Sequence, residues 1–159
     1  AHPDQVRSLV LMDTSAEPMG DLSEMLAPLV DLGREQGMEA VLELTRPFLT
    51  ALLVGDDARK AELTARIEEK YGQLDVEAFD AFGRELGTYP AMTDRLAEIA
   101  CPTTVLVGED DSSLRTSAEV MADGISGADL VLLPGGHCPQ EDHPASWLAA
   151  VQAHLGRVA

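Results

Sequence analysis

Two segments carry the residues with the clearest chemical potential: Val105-Leu106-Val107-Gly108-Glu109-Asp110-Asp111 and Leu130-Val131-Leu132-Leu133-Pro134-Gly135-Gly136-His137. In each, an apolar run of strand length breaks at glycine and is followed by a titratable residue. If the two strands are parallel, Asp111, with Asp110 beside it, and His137 leave the same end of a sheet. That arrangement lets a carboxylate hold an imidazole as a general base.

Such a base needs a nucleophile, and the usual frame is a serine on a sharp G-x-S-x-G turn from strand to helix. None of Ser8, Ser15, Ser23, Ser112, Ser113, Ser117, Ser126 and Ser146 has glycine at both flanking positions two residues away. An acid and a base are therefore legible here without the nucleophile.

The elements that position these residues follow from local pattern. Ser8-Leu9-Val10-Leu11-Met12 lacks polar alternation and reads as a strand covered on both faces. Between it and the acid strand, roughly Glu17 to Arg95, the pattern is helical. Asp21-Leu22-Ser23-Glu24 has capping-box spacing before a stripe of Leu22, Met25, Leu26, Leu29 and Val30. A second helix is predicted over Met38 to Val54, with Val41, Leu42, Leu44, Leu49 and Leu52 apolar and Pro47 kinking or dividing it. Asp56 or Asp57 caps a third, whose inward face is Leu63, Ile67 and Tyr71, and a fourth follows Asp75 and ends at Leu86-Gly87.

The order strand, acid, helix, strand, Gly-His, helix resembles the C-terminal part of an α/β-hydrolase, whose triad runs nucleophile, acid, histidine. Arg7-Ser8-Leu9-Val10-Leu11-Met12-Asp13 resembles the sixth strand, Gly108-x-x-Asp111 the acid loop after the seventh, and Gly136-His137-x-Pro139 the histidine loop after the eighth. The opening His2-Pro3-Asp4-Gln5-Val6 is similar to the link before strand six. One departure is Leu114-Arg115-Thr116-Ser117, where the family often carries Thr-Pro.

The resemblance implies an α/β fold: three parallel strands with flanking helices, residues 1–16 and 96–159, and an inserted all-helical cap, residues 17–95. It gives the acid to Asp111, with Asp13 at the end of strand six as the alternative, and the base to His137. The nucleophile and oxyanion hole would lie before residue 1, so the chain alone is expected to be inactive. Met19, Met25, Phe48, Phe79 and Phe82 are the candidates for the substrate pocket under the cap. The implied activity is hydrolysis of a small carboxylic ester. A haloalkane dehalogenase or epoxide hydrolase with an aspartate nucleophile is the alternative, and a non-catalytic interaction module on the same scaffold is another.

Competing roles are open to these residues. Asp110 can serve as a helix cap, and Asp13 can pin the Thr14-Ser15 turn. His137, Glu141 and His143 fit no usual zinc spacing, so neither a metal nor a cofactor is expected. His2, His143 and His154 read as surface residues. Cys101 and Cys138 fall at opposite ends of the sheet, roughly 15 Å apart at ~3.3 Å per residue, beyond disulfide reach; reduced thiols in a cytoplasmic protein are expected.

A net charge of −17, from 11 basic and 28 acidic residues over 159, disfavours a nucleic-acid partner, and no apolar run spans a membrane. The opening residues do not resemble a signal peptide. The partners expected are a small-molecule substrate and, at the Ser8–Met12 edge, the N-terminal half of the same enzyme or a second copy.

Overall fold

The computed structural model describes residues 2–51, 53 and 56–158. Three strands, β1 (Leu9–Met12), β2 (Thr103–Gly108) and β3 (Asp129–Leu133), form one parallel sheet in the order β1-β2-β3. Leu9 pairs with Thr103 and Met12 with Leu106; Thr104 pairs with Asp129 and Gly108 with Leu133. The central strand is buried along its whole length, as its unbroken apolar stretch from Val105 to Val107 requires.

The chain divides into two compact units. One comprises residues up to Glu17 together with those from Ala91 onward; the other is Pro18–Pro90. The expected boundary at residues 95 and 96 shifts. Residues 91–95 lie with the sheet because the Met92 N–H donates to the Ala16 carbonyl (2.7 Å), and a 3-10 turn, Thr93–Glu98, packs Leu96 against Gly124.

In the second unit are α1 (Gly20–Gln36), α2 (Met38–Ala51), α3 (Asp57–Gly72) and α4 (Val76–Thr88); α1 packs against α4 and α2, and α2 against α3. Val30, Val41, Leu42 and Leu63 form the buried centre. The capping-box expectation is corrected: α1 starts one residue before Asp21, at a tie between the Met19 N–H and the Leu86 carbonyl (2.6 Å). That tie fixes the entry of the chain, which leaves Asp21 in the first helical turn rather than at the cap. Asp56 and Asp75 do cap α3 and α4, Asp75 Oδ1 accepting from the N–H groups of Glu77 and Ala78. Pro47 does not divide α2, since the carbonyl deprived of its partner belongs to exposed Glu43, where water can replace it. Leu52 and Val54, included in the predicted helix, lie outside the described residues.

In the first unit, α5 (Arg115–Gly124) joins β2 to β3, and the short α6 (Pro139–Asp142) leads into α7 (Pro144–Val158). His154, expected on the surface, is buried at 1% exposure, with Nδ1 2.8 Å from the Thr104 hydroxyl of β2. The signal was present: Trp147, Val151, His154 and Val158 recur at helical spacing and make the inner face of α7. Arg157 supports it, donating to Thr104 Oγ1 (2.5 Å) and pairing with Asp129.

Candidate active site

Parallel strands end on the same side, so the loops after β2 and β3 meet. The main chain ties them together directly: the Glu109 N–H donates to the Leu133 carbonyl (2.8 Å) and the Asp110 N–H to that of Gly135 (3.0 Å). Gly108 permits this approach. A Cβ there would lie 2.0 Å from the Gly136 carbonyl oxygen, a backbone atom that cannot swing aside. Gly135 makes the turn at φ +104, and Asp142 closes it by accepting from the Gly136 N–H (3.1 Å). Asp142 carries no signal in the sequence because its partner is a main-chain amide brought close only by the folded loop.

Asp111 is 4% exposed and held by four donors. Its Oδ1 accepts from the Ser113 N–H (3.0 Å), the Ser113 hydroxyl (2.5 Å) and the Leu114 N–H (3.2 Å); Oδ2 lies 2.9 Å from Nδ1 of His137. Burial alone would push the Asp111 carboxyl up. The hydrogen bonds from Ser113, His137 and Leu114, with the charge His137 can carry, outweigh that and hold it below its ordinary value. Asp111 is thus an anion at neutral pH, aimed at one nitrogen of a ring whose side chain remains 48% exposed. Asp110 is exposed, and its N–H and carbonyl serve the loop.

Asp13 follows β1 at the same end of the sheet. One oxygen of Asp13, one of Asp111 and a ring nitrogen of His137 lie within 4.8 Å of one another. Asp13 has a left-handed backbone, φ +48, and its buried Oδ1 has no hydrogen-bond partner among the described residues. Burial chiefly, and the charge of Asp111 secondarily, push its carboxyl from 3.8 up to about 6 against the opposing influence of His137. The three groups are ligand types for a cation. Both Asp111 oxygens and Nδ1 of His137 already have hydrogen-bond partners within the protein.

The five pocket candidates all lie in the Pro18–Pro90 unit. Met25, Phe48 and Phe82 are exposed, whereas Met19 and Phe79 are partly buried. A groove of 690 Å³ in this unit is lined instead by residues such as Met38, Leu42, Arg46, Glu68 and Val76. No disulfide joins Cys101, before β2, to Cys138, after β3. Among the described residues, no helix is long and apolar enough to cross a membrane.

No protein-family model and no curated protein matches the chain. Solved structures do. An esterase from Thermogutta terrifontis is 26% identical over 99% of this chain and 58% of its own, with a TM-score of 0.83. The enol-lactonase from Burkholderia xenovorans superposes at 0.80 with 20% identity, over 98% of this chain and 58% of its own. MenH from S. aureus does so at 0.82 with 19%, over 96% and 59%. The chain therefore has the fold of the C-terminal part of an α/β-hydrolase, and it spans 58 to 59% of the length of these three structures.

Proposed function

We propose that this chain supplies the acid and the base of a nucleophile–histidine–acid hydrolase acting on a small carboxylic ester. The observation that carries the reading is the 2.9 Å contact between Oδ2 of a buried, fourfold-held Asp111 and Nδ1 of a half-exposed His137. Asp111 fixes the tautomer in which Nδ1 bears the proton and stabilises the imidazolium. Nε2 removes the proton from the attacking hydroxyl, returns it to the leaving alcohol, and then activates water against the acyl-enzyme.

The nucleophile and oxyanion donors come, in this proposal, from polypeptide pairing with the free edge of β1, either the preceding part of the same enzyme or a second copy. That edge suits the role. Val10 is 37% exposed in a strand whose sequence is apolar on both faces. The Pro18–Pro90 unit, which follows β1 in the chain, is the lid in this proposal, and Met19, Met25, Phe48, Phe79 and Phe82 are its candidate substrate contacts.

The test is hydrolysis of p-nitrophenyl acetate and butyrate by the polypeptide carrying this chain paired with its β1 partner. His137→Ala and Asp111→Ala should each lower kcat by ~10³-fold or more with little change in KM. Less than a tenfold loss in His137→Ala would refute the reading. Labelling by a fluorophosphonate marks a serine nucleophile, whereas an aspartate would leave the probe unreacted and redirect the proposal to haloalkanes or epoxides.

A further inference from the structure

Two carboxylates face one imidazole in this site, and their surroundings differ sharply. Asp111, on the loop after β2, has a donor for each oxygen. Asp13, after β1, has a buried Oδ1 with no donor among the described residues, and one of its oxygens, one of Asp111 and a ring nitrogen of His137 lie within 4.8 Å of one another. Asp142, on the histidine loop, is engaged by the Gly136 N–H, and His143 sits against Gly135.

Taking the catalytic reading of His137 as given, we propose that Asp13 is a positioning residue for the base. By gaining or losing its own proton, it sets the charge His137 faces and therefore the pH at which the imidazole accepts a proton.

Two like charges this close cannot both be cheap, so their protons come off in separate steps. The carboxyl with the donors ionises first. The one without them keeps its proton to about 6, within the range where an imidazole titrates. Above that pH, ionised Asp13 adds a second negative charge beside His137, which favours the imidazolium formed as the nucleophile loses its proton. Below it, Asp13 is neutral and Asp111 acts alone. A unit charge within 4.8 Å shifts an imidazole by about one pH unit when the surroundings lie between water and protein interior.

NMR titration of the full chain decides this without turnover. The His137 ring signals, assigned by their loss in His137→Gln, are followed with pH in wild type, Asp13→Asn and Asp111→Asn, and the Asp13 carboxyl carbon is followed in wild type. The expected result is a His137 midpoint lowered by about one unit in Asp13→Asn, restored in Asp13→Glu, and an Asp13 midpoint near 6. A His137 midpoint that falls in Asp111→Asn but not in Asp13→Asn overturns the role of Asp13 while the acid–base pair stands. Insensitivity to both substitutions overturns the pair itself. If Asp13→Asn does not fold, an Asp13 midpoint at the ordinary carboxyl value of about 4 in wild type still refutes the proposal.

Discussion

Replacing Gly108 by alanine tests how the acid and histidine loops are held together. The added Cβ would lie 2.0 Å from the Gly136 carbonyl oxygen, 2.6 Å from that of Gly135 and 2.8 Å from the Gly136 carbonyl carbon. Ordinary C···O approach is about 3.3 Å or more, so the histidine loop must retreat by more than ~1 Å. All three obstacles are main chain, and no rotamer change relieves them. Overpacking of this kind costs about 1–3 kcal/mol. The retreat also stretches the Glu109–Leu133 and Asp110–Gly135 hydrogen bonds, each contributing about 0.5–1.5 kcal/mol. A loss of about 3–4 kcal/mol is expected, large against a typical total of ~5–15. Urea unfolding followed by Trp147, the single tryptophan, reports on this unit. Gly156→Ala, at an open position of α7, is the control and should be neutral or mildly stabilising. A Gly108→Ala protein within ~0.5 kcal/mol of wild type, with an unchanged His137 titration, would refute the claim that this glycine sets the loop spacing.

Asp13 should leave a pH signature in stability. Its folded value, about 6, lies above the ordinary 3.8, so ionisation disfavours the folded state and stability falls as pH rises from about 4 to 6, then levels. The full shift corresponds to ~3 kcal/mol, and solvent screening at this partly exposed group reduces it to about 1–2. Asp13→Asn should therefore be stabilised by about 1–2 kcal/mol at pH 7.5 and scarcely at pH 4, as measured by Trp147 unfolding; equal effects at both values would count against burial as the cause. Leu106→Ala, at the wholly buried centre of β2, should cost about 2–5 kcal/mol in the same assay, and a cost below 1 would show that the sheet face collapses around the gap. Asp75→Ala removes the acceptor for two N–H groups of α4 and should cost about 1 kcal/mol. It should be seen by the tyrosines, Tyr71 and Tyr89, which lie in the Pro18–Pro90 unit.

Much of this architecture is local and therefore legible in the chain itself. The three strands announce themselves as short apolar runs broken by aspartate, glycine or Pro-Gly, and Asp56 and Asp75 cap helices because a carboxylate beside free N–H groups needs no distant partner. The Asp111–His137 pairing needed one nonlocal assumption, parallel strands, which the apolar character of β2 supports.

What the sequence left open depends on atoms far apart along it. Met19 meets Leu86 and so moves the start of α1, Leu96 meets Gly124 and so draws residues 91–95 to the sheet, and Thr104 meets His154 and so buries a histidine. Asp13 is the sharpest case. Residue type and spacing mark it as a strand-end carboxylate, like Asp111. Only the folded arrangement gives Asp111 four donors and Asp13 Oδ1 none among the described residues, because the supply of donors is set by loop geometry and not by the identity of the acid.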